Sequence, residues 1–191
     1  LAEKVAAILD RPRRAPFRTL YPDQMSLLHK VEMIARELYR PDGVEAYVRS
    51  VIDEQLPGVA AHGRARFCDV FCEEGVFSAD QSRRILQAAS AYGLTPRLHA
   101  DELVPSGGAE LAVELGAASA DHLAAPSPEG IDALAAAAVT DQPVVATLLP
   151  ATTWFLMKEH HAPARTLIDR GVPVAIGTDF NPGTPPTASL P

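Results

Sequence analysis

Phe67-Cys68-Asp69-Val70-Phe71-Cys72-Glu73-Glu74-Gly75-Val76-Phe77-Ser78 is the stretch on which the fold class turns. Its first six residues are a short apolar-rich run without Gly or Pro, which predicts a strand, and Ser78 opens a pattern that predicts a helix to about Tyr92. Ser78 can cap that helix and Gly93 lies just past its end, the usual asymmetry of helix termini. The unit is therefore strand then helix. It recurs downstream, with strands predicted at 96–100, 118–122, 143–149 and 173–178 and helices near 107–115, 128–138 and 163–170. Five strands, each joined to the next by a helix, require parallel pairing through crossovers, and so an α/β class. An open doubly wound sheet and part of a barrel give the same alternation, so the polar residues at strand ends must separate them.

Upstream of Phe67 the texture differs. Apolar residues recur at helical spacing over 44–59 and over 25–39, where Leu28, Val31, Ile34, Ala35 and Leu38 form one face, so two helices are predicted. Arg11, Pro12, Arg13, Arg14 and Pro16 form a basic, helix-breaking run that reads as a solvated surface linker. Residues 1–42 are expected to be a separate segment and 43–191 the α/β part.

With 47% hydrophobic residues the chain can bury a core, and 17 Lys and Arg against 24 Asp and Glu leave a net charge of -7. That balance argues against nucleic acid or an anionic membrane as the main partner and favours a small-molecule substrate. No run approaches the roughly 18 to 20 apolar residues of a membrane span, and Leu1 opens no signal-peptide pattern, so a cytoplasmic location is expected. Cys68 and Cys72, four apart in an apolar run, suit neither a disulfide framework nor a zinc ribbon and read as buried thiols. At 191 residues the chain is shorter than the roughly 250 of a complete (β/α)8 barrel, a shortfall that any barrel reading must explain.

In parallel α/β folds function gathers at the C-terminal ends of the strands. Here those ends read Cys72-Glu73-Glu74-Gly75, His99-Ala100-Asp101-Glu102, Asp121-His122, Leu149-Pro150 and Asp179-Phe180-Asn181-Pro182-Gly183. Four of the five carry ionisable groups, which points to a shared polar site. His99 and His122 are each either a hydrogen-bonded core histidine or a ligand for zinc or iron, and their recurrence with Asp179 at equivalent strand ends favours the ligand. Asp101 or Glu102 could contact a substrate or move a proton, although a loop or N-cap role suits Asp101 better. Asp179, placed directly after an apolar strand, needs a cation or a donor-rich partner. Asn181-Pro182-Gly183-Thr184 is a turn whose N–H groups and hydroxyl could hold a ligand. Glu73 and Glu74 stay ambiguous, Asp69 reads as a packing or ion-pair residue, and His29, His62, His160 and His161 read as surface groups. Dinucleotide, P-loop, zincin and serine-hydrolase motifs are absent from the sequence.

Taken in order, Cys68-Asp69-Val70-Phe71-Cys72-Glu73-Glu74-Gly75, Leu98-His99-Ala100-Asp101-Glu102, Ser119-Ala120-Asp121-His122-Leu123 and Thr178-Asp179-Phe180-Asn181-Pro182-Gly183 resemble the imidazolonepropionase family of the amidohydrolase superfamily. The resemblance runs from about Val44 to the end. It implies a metal-dependent-hydrolase (β/α)8 TIM-type barrel of which strands 4 to 8 are visible, carrying one zinc or iron ion with His99 and Asp179 as ligands. It further implies that Glu102 contacts the substrate and relays a proton, that His122 assists the hydrolytic water, and that Asn181, Gly183 and Thr184 hold the substrate. Asp179 thereby counts among the catalytic residues. The reaction implied is hydrolysis of the cyclic amide of 4-imidazolone-5-propanoate to N-formimino-L-glutamate, by an enzyme that is commonly a homodimer. The His-x-His pair of the family's first strand has no counterpart in these 191 residues. Two other readings therefore stand beside the first: another amidohydrolase acting on a cyclic amide or nucleobase, and a non-catalytic fragment. Missing strands would also leave open sheet edges, so poor stability as an isolated monomer is expected.

Overall fold

In the computed structural model five strands pair in parallel in the order β1-β2-β3-β4-β5, the order in which they occur along the chain. They are β1 (Phe67–Cys72), β2 (Thr95–Ala100), β3 (Ser119–His122), β4 (Val145–Leu148) and β5 (Val174–Ile176). The structure describes residues 43–180, 185 and 187–189. Two compact units divide the chain, Leu1–Tyr47 and Val48–Pro191, and the sheet belongs to the second. The expected linker at 11–16 and the helix expected at 25–39 lie outside the described residues.

Strand order settles what periodicity left open. In a doubly wound sheet the order reverses at a switch point, whereas here every strand adds on the far side of its predecessor, and right-handed crossovers advancing one way put all helices on one face. The second unit is thus a segment of a (β/α) barrel wall, with all of its strand C-termini opening to one side.

The crossover after β1 is α3 (Ala79–Ala91), fixed at its start by a capping box: Ser78 Oγ accepts from the Gln81 N–H while Gln81 Oε1 accepts from the Ser78 N–H. Two shorter helices precede β1, α1 (Gly43–Ser50) and α2 (Leu56–His62), joined by a π-helical turn over Val51–Gln55. The helix expected at 44–59 is therefore interrupted at its centre by a wider, underwound turn. After β2 and β3 come α4 (Gly108–Glu114) and α5 (Pro128–Ala137), and β4 is followed by α6 (Pro150–Phe155) and α7 (Ala164–Asp169). Helix α6 was not expected. Leu149-Pro150 reads as a strand end, yet proline at the first helical position starts a helix as readily as it stops a strand.

The core lies between sheet and helices. Val70, Leu98, Ala100, Ala120 and Ala146 alternate along their strands onto one face and are buried, as are Leu86 and Ala89 of α3, Leu111 and Ala112 of α4 and Leu134 of α5; α3 and α4 pack on β1 to β3, and α5 packs on α4. The opposite face carries a different row. Register pairs Phe71 with His99, His99 with Asp121, and Asp121 with Thr147, so polar groups run across what would be the barrel interior. None of the helices among the described residues is long and apolar enough to cross a membrane.

Candidate metal and catalytic site

Three strand ends depart from ordinary strand geometry at the residues of interest. Asp101, His122 and Asp179 have φ of 51°, 73° and 51°, left-handed backbone that a non-glycine residue adopts at a cost of about 1 to 3 kcal/mol. The effect on His122 is specific. In register it pairs with buried Ala100, so strict alternation would aim it at the helix layer; the reversed φ breaks the alternation, and its ring comes 5.2 Å from that of His99. His99, His122 and Asp179 each bring a ligand atom within 4.8 Å of the others. Glu102 closes on the same group, with Oε2 at 3.7 Å from His122 Nε2.

The four environments differ. Burial, reinforced by the charge of His99, pushes the His122 imidazole down to about 4, so this ring is neutral at pH 7. Asp69 Oδ2 lies 2.9 Å from His99 Nδ1, and this carboxylate holds the His99 imidazolium form up against the opposing effect of burial. At that distance the two groups form an ion pair whenever His99 is protonated. Glu102 is pushed up by burial and then by the charge of Asp179, and it keeps its proton to higher pH than an ordinary glutamate. Asp179 Oδ2 accepts the Thr152 hydroxyl at 2.7 Å.

The opposite shifts of the two histidines give a testable pH signature. Between pH 4 and the ordinary 6.5 the unfolded chain binds more protons at residue 122 than the folded chain does, so the stability this group contributes is full above 6.5 and falls as pH drops through that window. His99 has the reverse sign: its contribution is present below 6.5 and is lost as pH rises through its higher folded value. Nuclear magnetic resonance titration of the metal-free chain should place the His122 inflection near 4 and that of His99 above 6.5. Coincident inflections at 6.5 would contradict this geometry.

Two carboxylates that sequence left ambiguous build the loop rather than the mouth. Asp101 accepts from the N–H groups of Ser106, Gly108 and Ala109 at 2.8, 3.1 and 2.9 Å, so it caps the start of α4. Burial nevertheless leaves its carboxyl raised. Glu73, wholly buried, accepts from the N–H groups of Glu102, Leu103 and Val104 and from the Ser106 hydroxyl. Sequence reasoning left the role of Glu73 open and missed Thr152 as a partner of the site. A glutamate directly at a strand end was the available signal for the first, whereas nothing in the sequence marks one threonine among several.

Asp69 joins the charge pairing just described, and Cys68 and Cys72 are free thiols pushed up by burial. His62, His160 and His161 are exposed, as expected of surface groups. Asn181, Gly183 and Thr184 lie outside the described residues, as does His29.

No family model matches the chain. It is 58% identical over 147 residues to an imidazolonepropionase of Geobacillus kaustophilus, covering 77% of this chain and 33% of that protein. An imidazolonepropionase of Clostridium tetani is 56% identical over 147 residues, covering 77% and 34%, and one of Bacteroides fragilis is 55% identical over 152 residues, covering 80% and 34%. Among solved structures, an amidohydrolase from a Sargasso sea environmental sample is 22% identical, covers 73% of this chain and 31% of its own, and has a TM-score of 0.47. The chain spans about a third of the length of the curated relatives it matches. At more than half identity over about three quarters of its residues, the chain belongs to the imidazolonepropionase family.

Proposed function

We propose that residues 43–191 form part of a metal-dependent hydrolase that opens the cyclic amide of 4-imidazolone-5-propanoate to N-formimino-L-glutamate. The observation that carries the reading is the convergence of His99, His122 and Asp179 from three strand ends, their ligand atoms within 4.8 Å of one another. The donors suit zinc or iron, being imidazole nitrogen and carboxylate oxygen. His122 Nδ1 is buried without a hydrogen-bond partner, as expected of a mouth arranged around a further polar group.

His99 and Asp179 would hold one such ion. When bound, it supplies Lewis acidity and lowers the pKa of water from about 15.7 towards 7. The remaining work falls to this chain's side chains. His122, neutral at pH 7, can take a proton from the attacking water, and Glu102, protonated more readily than an ordinary glutamate, can hand one to the departing ring nitrogen. Water adds to the ring carbonyl, the carbonyl carbon–nitrogen bond breaks, the carbon side becomes a carboxylate and the nitrogen side keeps a proton. Asn181, Gly183 and Thr184 are assigned to binding the propanoate-bearing ring. A small-molecule partner, a homodimer and a cytoplasmic location belong to the same reading.

An ultraviolet assay of the full protein carrying this sequence tests it. Loss of imidazolone propanoate should be abolished by a chelator and restored by zinc or iron. Turnover of a hydantoin or a nucleobase with no loss of imidazolone propanoate would instead identify a different amidohydrolase, and turnover by the full protein but not by these 191 residues alone would make this chain a non-catalytic fragment.

A further inference from the structure

The end of β4 is the one strand end whose sequence carries no ionisable group, yet it lies beside the end of β5, which carries Asp179. Gly177 makes that approach close. Its N–H donates to Leu148 O at 3.0 Å, and a Cβ at this position would stand 2.8 Å from Leu149 Cδ2. Helix α6 then turns Thr152 back over the mouth. The threonine is 1% exposed, and its hydroxyl, instead of bonding within its own helix, donates to Asp179 Oδ2 at 2.7 Å.

We propose that Thr152 is a positioning residue for the metal site, fixing the orientation in which the Asp179 carboxylate faces His99 and His122. This rests on the reading of Asp179 as a metal ligand. A hydroxyl suits the task because it is a neutral donor: it fixes one carboxylate oxygen without cancelling the charge that a cation needs, as an Arg or Lys would. The β-branched threonine is also stiff at χ1, so little freedom is lost in holding the hydroxyl there. The left-handed backbone of Asp179, φ 51°, needs such outside support to persist.

The test is zinc affinity, measured on the full 191-residue chain by competition with a chromophoric chelator. Thr152→Val removes the donor at nearly constant shape and should raise the Kd for Zn2+ about 10- to 100-fold, while Thr152→Ser keeps it within about threefold of the parent. Asp179→Ala should weaken binding at least as much as Thr152→Val. Where circular dichroism shows the valine variant unfolded, Thr152→Ala takes its place. An unchanged Kd for Thr152→Val beside a weakened Asp179→Ala overturns the proposal while leaving Asp179 a ligand. Equal losses in the serine and valine variants also overturn it, because packing rather than the hydroxyl would then be responsible. An unchanged Kd for Asp179→Ala, or no zinc uptake by the parent chain, overturns the ligand reading and this proposal together.

Discussion

Glu73→Ala is expected to lower stability by about 3 to 5 kcal/mol, because it removes the acceptor of four donors at once in a place water does not fill. Glu73 Oε2 takes the N–H groups of Glu102 and Leu103 at 2.8 and 3.0 Å; Oε1 takes the N–H of Val104 at 3.1 Å and the Ser106 hydroxyl at 2.7 Å. A carboxylate has about four acceptor positions, and all are used. The segment from Glu102 to Ser106 is an irregular connection whose N–H groups have no ladder to join, so this one side chain replaces a secondary structure. Losing a bond costs about 1 kcal/mol when water takes over and about 1 to 3 when the donor is stranded, which sets the range. Glu73→Gln should cost less, about 2 kcal/mol, since the amide keeps one oxygen but turns an N–H pair towards two donors. Chemical denaturation reads the stability change, and amide exchange at 102, 103 and 104 should quicken in both variants. An unchanged midpoint for Glu73→Ala would show that the loop stands without this carboxylate.

That glutamate also marks where sequence reading stops. The five strands, their helices and the parallel class follow from short apolar runs and from caps such as Ser78 and Gly93, which are local in the chain. Open sheet against barrel segment is a question of which strand lies beside which, and only the strand order answers it. In the same way His99, His122, Glu102 and Asp179 were legible because each sits at a predicted strand end. Their mutual placement depends on something sequence hides, the left-handed φ of His122, which lifts the ring out of the face that alternation assigns. Asp101 stood open between mouth and cap because both roles want a carboxylate one residue past a strand. Two N–H donors from the first residues of α4, with that of Ser106 just before it, decide for the cap. Thr152 and Glu73 act across 27 and about 30 residues of chain, and no periodicity reports a hydrogen bond at that separation.

Gly108→Ala and Gly58→Ala are one chemical change with opposite expected signs. A Cβ on Gly108 would lie 2.8 Å from Ala100 Cβ and 2.9 Å from Ala100 Cα, and 3.4 Å from the Asp101 nitrogen. Backbone cannot swing aside as a long side chain can, so the start of α4 must lift off the end of β2. Lifting it stretches the bonds that Gly108 and Ala109 donate to Asp101, the cap on which α4 depends. Overpacking of this kind costs about 1 to 3 kcal/mol, and about 1 more is lost with a weakened cap, so about 2 to 4 kcal/mol of destabilisation is expected. Gly58 meets nothing within 4 Å and lies inside α2, where alanine is the better helix former by about 1 kcal/mol. There the substitution should stabilise by about 0.4 to 1 kcal/mol, largely by restricting the unfolded chain. Thermal melts of the two variants decide the matter: a rise for Gly58→Ala beside a fall for Gly108→Ala is the expected pair. Equal shifts would mean that α4 and β2 are not in the close contact on which the Asp101 cap relies. The site depends on that contact too, because the loop carrying Glu102 to His122 is strung between Glu73 at the end of β1 and this glycine at the head of α4.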